Sequence, residues 1–382
     1  MKTILLSDNH LWALYHFRGG VIRSFLNKGY RVLVVAPESN NINDDNSIPG
    51  VEYIPIKLNR TDTSILENVK YFYSLYKIYN RVNPDIVFHY TIKPILFGSI
   101  AAKLNHISSV AMFTGLNLLF KKESLINTLA RKILKFALRF PKKIIFLNKK
   151  DMDFLISCEI ITAEKSFLFE GGEGLDTSYY EPAPDKKVND HPIFMMVARV
   201  LYQKGYKEYV EAALIIKKSF PTAEFILCGE IDRDHPSAVP EDVVIQDNKA
   251  GIINYKGRVN DVCTKIQECD CFVLPSYYNE GMNRSLMEAL SIGIPIITTD
   301  NNGCREMVVD GITGFLVKQQ DTNSLVNAMT KFCLLTDDEI NQMSKEARNL
   351  AISKFSDKIV INNYLNIINS INTNGKDLSN NG

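Results

Sequence analysis

Short apolar runs recur along the chain, separated by segments with helical spacing. In the first half, Thr3–Leu6, Arg31–Ala36, Val51–Ile56, Ile86–His89, Ser109–Phe113 and Lys143–Leu147 read as strands. Between them Val21–Leu26, Ser64–Arg81, Ile95–Leu104 and Leu125–Phe140 place apolar residues at helical spacing. Strands without polar alternation, each followed by a helix, predict a parallel sheet covered on both faces. Residues 174–192 (GLDTSYYEPAPDKKVNDHP) hold three prolines and read as a linker. The alternation then restarts. Strands are expected at Ile193–Ala198, Glu224–Cys228, Ile253–Tyr255, Cys271–Leu274, Pro295–Thr298 and Gly314–Val317. Helices are expected at Tyr206–Ser219, Val262–Glu268, Asn283–Ser291, Thr322–Leu334, Asp337–Lys354 and Asp357–Asn369. The fold expected is α/β, two doubly wound Rossmann-like domains facing a cleft. The first domain spans 1–173, the linker 174–192 and the second domain 193–355. A helix at 356–371 is expected to return to the first domain, followed by a flexible tail at 372–382.

Composition narrows the picture. The 382 residues suit two domains, and 46% hydrophobic with 23% charged residues excludes disordered and fibrous classes. The net charge of +1 hides an asymmetry: residues 1–173 carry 23 basic and 15 acidic side chains, the remainder 21 and 28. Seven irregularly spaced cysteines fit reduced thiols rather than a disulfide framework. The apolar start Met1–Leu6 is too short for a secretory core, and no uncharged run approaches the roughly 20 residues of a membrane span. Any membrane contact is therefore expected to be peripheral.

The densest chemistry lies in Glu280-Gly281-Met282-Asn283-Arg284-Ser285-Leu286-Met287-Glu288, after the strand Cys271–Leu274. A helix starting near Met282 offers unpaired amides to a phosphate. Glu280 and Glu288 suit sugar hydroxyls, and Gly281 permits close backbone approach. Arg199, at the end of another strand, and Lys204, just before the next helix, are expected at the same sheet edge. There they can stabilise a departing diphosphate without a metal. Taken singly, each of these residues also fits an ordinary surface or helix-end role.

Together with the runs at 199–205 (RVLYQKG), 255–262 (YKGRVNDV), 274–300 and 303–317, these residues resemble family 4 retaining glycosyltransferases of the GT-B fold. The segments 15–18 (YHFR), 84–94 (PDIVFHYTIKP) and 113–117 (FTGLN) resemble bacterial members that build capsule, O-antigen or lipid-linked saccharides. The resemblance implies that Arg199 and Lys204 hold the donor diphosphate and that Glu280 binds the donor sugar. It implies that the amides of Gly281, Met282 and Asn283 approach the sugar and β-phosphate. Glu288 would hold the ribose, with Gly257 and Arg258 at the base. The family usually has Pro where this chain has Asn283, which restores one backbone N–H. Many relatives have His where this chain has Thr114, so no protein base stands out. His16 and His89 are the alternatives, although each reads first as a structural or loop histidine.

The activity implied is transfer from a UDP-sugar to a polyprenyl-diphosphate-linked acceptor, at the inner face of a bacterial cytoplasmic membrane. A nucleotide-sugar 2-epimerase and a silent sugar-nucleotide binder are the alternatives. No cofactor and no metal are expected: Asp151-Met152-Asp153 and Asp232-Arg233-Asp234 lie outside the early strand context that metal-dependent GT-A enzymes use. Trp12, His16, Arg18, Lys93 and Thr114 are acceptor candidates, the first three in a loop expected at Ser7–Arg18. Arg18 and Lys93 would bind the acceptor diphosphate. Residues 121–143 hold eight basic residues against one acid, with Leu125, Leu129, Ile133, Phe136, Ala137 and Phe140 at helical spacing. Arg131, Lys132, Lys135 and Arg139 are expected to meet an anionic bilayer. Nucleic acid is not expected as a partner.

Overall fold

The computed structural model describes residues 1–38, 47–59, 64–116, 125–169, 171–184, 188–278 and 282–376. The chain forms two compact units, 1–174 with 357–382, and 175–356.

The first unit is built on seven strands: β1 (Thr3–Ser7), β2 (Arg31–Ala36), β3 (Val51–Pro55), β4 (Ile86–Tyr90), β5 (Ser108–Phe113), β6 (Lys143–Phe146) and β7 (Ser166–Leu168). They pair in parallel in the order β3-β2-β1-β4-β5-β6-β7. Ile4 lies opposite both Val32 and Ile86. Every residue of β1 and β4 is buried, which is why these strands read as continuous apolar runs. One face packs Leu14, Ile22 and Phe25 from the helix Leu11–Asn27, with Val360 and Tyr364 from the helix Asp357–Lys376, on Leu6 and Phe88. The opposite face packs Leu75 and Tyr79 from the helix Ile65–Val82 on Leu5, Leu33 and Val87.

The second unit holds β8 (Ile193–Val197), β9 (Glu224–Cys228), β10 (Asn254–Tyr255), β11 (Cys271–Leu274), β12 (Ile296–Thr299) and β13 (Gly314–Val317), all parallel, in the order β10-β9-β8-β11-β12-β13. Strand order reverses between β1 and β4 in the first unit and between β8 and β11 in the second. Such a reversal opens a crevice at the carboxyl ends of the strands, where doubly wound sheets bind ligands.

Several boundaries differ from the sequence expectation. The segment expected as a loop to Arg18 is already helical from Leu11, so Trp12, His16 and Arg18 stand on a helix. His10 gives no side-chain cap, and Gly19 and Gly20 lower the local propensity; these features hid the helix. Packing overrides that propensity, since a Cβ on Gly20 would come 2.9 Å from the Asp357 carboxylate, on the facing helix. Residues 175–192 belong to the second unit and are not a free linker: Leu175 pairs with Ser356, and Tyr180 joins the core. The last helix runs to Lys376.

All seven cysteines are free thiols. Among the described residues no His, Cys, Asp and Glu cluster could hold a metal, and no helix is long and apolar enough to cross a membrane. His89 is wholly buried, with Nε2 3.0 Å from the Tyr79 hydroxyl, and burial pulls its pKa down to about 3. It is therefore an interior histidine, packed away from the unit's surface. A Cβ on Gly98 would sit 2.5 Å from its ring. Gly98→Ala is expected to destabilise the first unit by about 1–3 kcal/mol, through overpacking. A lowered urea midpoint for that unit checks this; an unchanged midpoint would show that the His89 ring moves freely.

Candidate functional site

The second unit's crevice is made by the turns leaving β8 and β11. After β8 the chain passes Arg199, makes a tight turn at Tyr202–Lys204 and enters the helix Tyr206–Ser219 through Gly205. Gly205 has φ 89°, and a Cβ there would lie 2.4 Å from the Pro275 carbonyl oxygen. Only glycine lets the two turns meet so closely. Backbone N–H of Tyr277 donates to Gln203 O at 3.0 Å, and the Ser276 hydroxyl donates to the same oxygen at 3.3 Å. Asn301, beyond β12, donates to the Tyr278 carbonyl at 2.9 Å.

This framework sets Lys204 with its ammonium 5.2 Å from the Tyr278 ring centroid. Lys204 is only 7% exposed. Burial brings its pKa down to about 8; Cys304 opposes the fall and Arg199 adds to it. Arg199 is exposed and donates to Asp232 at 2.8 Å. Arg233 pairs with Glu241. The Asp232-Arg233-Asp234 string is thus part of an arginine–carboxylate surface.

Gly257 has φ 66°, and its carbonyl accepts from Gly229 N–H at 2.8 Å. Arg258 is exposed, 3.7 Å from Glu230. Both follow β10, two strands away from β8. Glu280 and Gly281 lie outside the described residues.

The helix expected from Met282 begins at Arg284 and runs to Ile292. Asn283 is its cap: Oδ1 accepts from Leu286 N–H at 3.2 Å and from the Ser285 hydroxyl at 2.8 Å. The Asn283 N–H, expected to approach a phosphate, instead donates to Gly303 O at 3.0 Å. That amide is used internally, so the extra donor gained by replacing Pro serves the fold. Met282 is half-buried beside it.

Glu288, one turn into this helix, is buried and accepts from Arg284 Nε at 3.1 Å. Burial prevails and raises its pKa, with Arg284 and a hydrogen bond from Tyr180 limiting the rise. Tyr180 and Arg284 were not among the sequence candidates. The four-residue spacing of Arg284 and Glu288 was visible as an ion-pair signal; Tyr180, over 100 residues away, carried none.

In the first unit, the acceptor candidates separate. Trp12 stacks on His16 with centroids 4.2 Å apart, and Phe17 meets Trp12 edge-on at 5.4 Å. Arg18, expected to bind a diphosphate, is instead buried: it reaches Glu173 at 2.6 Å and Asp8 at 3.6 Å, and lies 4.0 Å over the Tyr90 ring. Its charge is committed to the unit's interior. Burial lifts the Asp8 carboxyl to about 6 against the pull of Arg18. Lys93 donates to Asn59 O at 2.8 Å beside a cavity of about 530 Å³, bordered by Glu38, Lys57, Glu67 and Tyr71. Thr114 is half-buried directly after β5.

The basic helix runs from Leu125 to Ala137. Its expected single apolar stripe divides. Ala137 turns inward with Leu134 and Leu138. Leu129, Ile133 and Phe136 stay 60%, 40% and 49% exposed, among exposed Lys132, Lys135 and Arg139. Arg131 is half-buried, and Phe140 packs edge-on against Phe136 at 5.1 Å.

Comparison with known proteins agrees with this geometry. Residues 3–148 match the family model "Glycosyl transferase 4-like", and residues 181–350 match "Glycosyl transferases group 1". The chain is 26% identical to the N,N'-diacetylbacillosaminyl-diphospho-undecaprenol alpha-1,3-N-acetylgalactosaminyltransferase of Campylobacter jejuni, covering 94% of this chain and 96% of that one. It is 27% identical to the UDP-Gal:alpha-D-GlcNAc-diphosphoundecaprenol alpha-1,3-galactosyltransferase of Escherichia coli, over 86% of each. Among solved structures, a glycosyltransferase from Rickettsia africae superposes with TM-score 0.80 at 19% identity, covering 97% of this chain and 98% of that one. HepE of Anabaena in complex with UDP superposes with TM-score 0.76 at 17% identity, covering 97% and 100%. With both halves matched and both sheets doubly wound, the chain belongs to the family 4 glycosyltransferases of the GT-B fold.

Proposed function

We propose that the protein moves a sugar from a UDP-sugar onto a saccharide carried by a polyprenyl diphosphate, with retention at the anomeric carbon and without a metal. The observation that carries this reading is the pairing of Arg199 and buried Lys204, at the exit of β8, with Glu288, in the helix that follows β11. That edge offers two cations to a diphosphate and a carboxylate to vicinal hydroxyls. The relatives' names supply the acceptor class: both act on diphospho-undecaprenol-linked sugars.

The chemistry follows from the charges. As the bond between the anomeric carbon and the β-phosphate oxygen breaks, negative charge grows on the diphosphate. Lys204 and Arg199, once Arg199 turns from Asp232, stabilise that charge in place of a metal. The acceptor hydroxyl bonds to the anomeric carbon on the face being vacated, and its proton passes to the departing phosphate oxygen. Glu280, on sequence grounds, binds the donor sugar. Trp12, His16, Lys93 and Thr114 remain the acceptor candidates.

Peripheral membrane contact is part of the proposal. Exposed Leu129, Ile133 and Phe136 beside Lys132, Lys135 and Arg139 combine an apolar surface with cations at headgroup level.

Three measurements test this reading. Incubated with UDP-sugars and lipid-linked acceptors, the protein is expected to yield a lengthened lipid-linked product, undiminished by EDTA. Donor binding without turnover would favour a silent binder, and conversion of the donor alone an epimerase. Rate lost to EDTA and restored by Mn²⁺ would overturn metal independence. Secondly, with Lys204 at about 8, its charged form dominates below that pH and is lost above it. UDP-sugar affinity is therefore expected to be level from pH 6 to near 8 and to fall up to about tenfold per unit beyond. Lys204→Met is expected to bind weakly without that limb; a wild-type profile level to pH 9 contradicts a role for the ammonium. Thirdly, replacing Lys132, Lys135 and Arg139 together by Gln is expected to abolish sedimentation with anionic liposomes. Unchanged sedimentation would assign the basic helix to another partner.

A further inference from the structure

Glu288 is held from two directions within the second unit. From its own helix Arg284 approaches through Nε at 3.1 Å, at the four-residue spacing that lets the two side chains meet. From the segment before β8 comes Tyr180, whose hydroxyl bonds both the Glu288 carboxylate and Arg284. Tyr180 is itself fixed. Its carbonyl accepts from the Ser291 hydroxyl and from Arg348 at 2.8 Å, and Arg348 also donates to the carbonyls of Ser291 and Thr177. The Tyr180 segment is thereby fastened to the end of the helix that carries Glu288.

We infer that Arg284 and Tyr180 are positioning residues for the nucleotide ribose, holding the Glu288 carboxylate ionised and aimed so that its remaining lone pairs accept the two ribose hydroxyls. The inference rests on the donor-site reading given above. A carboxylate offers about four acceptor positions, so bonds to Arg284 and Tyr180 leave others for a diol. Burial alone favours the neutral acid, which loses acceptor capacity. Arg284 opposes that drift by charge and a hydrogen bond, and Tyr180 by a hydrogen bond. The other titratable groups facing Glu288 are Tyr179 and Cys263, neither of which brings positive charge. Arg284 is thus the one cation that the described residues bring to this carboxylate. It is only 19% exposed, which strengthens the pairing relative to a surface ion pair. The assignment also accounts for Arg348: its bonds to the Tyr180 and Thr177 carbonyls hold that segment, and its bonds to Ser291 fasten it to the helix that carries Glu288.

The test compares binding of UDP and 2′,3′-dideoxy-UDP to the full chain by titration calorimetry. Wild type is expected to prefer UDP by roughly 10- to 100-fold, the worth of hydroxyl bonds to a charged acceptor. Arg284→Leu is expected to reduce that preference to below about threefold while leaving dideoxy-UDP affinity within about threefold of wild type. Arg284→Lys, which keeps a charge without the planar fork, is expected to retain part of the preference. Tyr180→Phe is expected to show a smaller loss of the same kind. An equal loss of affinity for both nucleotides in these variants would make the residues merely structural and overturn the inference, as would a preference that survives Arg284→Leu and Tyr180→Phe intact. A wild type that binds UDP without discriminating the dideoxy analogue would remove Glu288 from the ribose and leave diphosphate binding standing. A wild type that binds neither nucleotide would sink the donor-site reading itself.

Discussion

Withdrawing charge from water is the constraint around which the second unit's crevice is organised. An ammonium and a carboxylate, Lys204 and Glu288, are each less than a tenth exposed at the edge of one sheet. Neither is tolerable there without local compensation. Burial moves both toward their neutral forms, Glu288 upward and Lys204 downward, but Glu288 is partly compensated by Arg284 and Tyr180, while at Lys204 the opposing pull comes from Cys304 rather than from a carboxylate. A lysine whose pKa burial brings to about 8 stays charged at neutral pH with its water largely removed, a state that an incoming anion would stabilise. The close meeting of Gly205 with the Pro275 carbonyl makes this possible, because it carries Lys204 to the exit of the neighbouring strand.

The first unit handles a buried cation in the opposite way. Arg18 lies buried between Asp8, Glu173 and the Tyr90 ring, so its charge is answered inside the unit. Glu173 comes from the chain just before it leaves the unit, and Tyr364, in the returning helix, bonds the Tyr90 hydroxyl at 3.1 Å. Arg18 therefore ties β1, the first helix and the segments where the chain departs and re-enters. Read as a diphosphate ligand from its place near His16, it proves to be a fastening within the unit.

The strands were legible because a parallel sheet covered on both faces demands unbroken apolar runs, and such runs at β1, β2, β4, β8, β9 and β11 have no other reading in a chain of this composition. The helix start at Leu11 was not legible, since its cap is weak, two glycines interrupt it and its stability comes from the helix at Asp357–Lys376. β7 is three residues long and carries too little pattern to show. Within the candidate site, Lys204 and Glu288 could be named as candidates from the motifs that carry the family resemblance. Tyr180 and Arg348 could not, because their part depends on a contact between the segment before β8 and a helix more than 100 residues later. Asn283 shows a subtler failure. Restoring an N–H at a helix start creates a donor, but the Gly303 carbonyl accepts it first.

The charge asymmetry between the halves takes on a definite form in this geometry. The second half is acidic in sum, yet a diphosphate bound within a few ångströms of Lys204 and Arg199 feels those cations at short range. Some of that half's carboxylates act locally: Asp232 holds Arg199, and Glu230 faces Arg258. These carboxylates compete with a ligand for the arginines and so reduce attraction to polyanions in general, leaving the buried ammonium, which an extended polyanion cannot readily reach, to favour a compact diphosphate. In the first half part of the positive excess, Lys132, Lys135 and Arg139, sits instead on and just after an exposed helix among Leu129, Ile133 and Phe136. Cations spread over an apolar surface suit a bilayer, and a single desolvated cation in a crevice suits one diphosphate. On the proposed reading, the same residue types divide between two kinds of anion according to how far each is withdrawn from water.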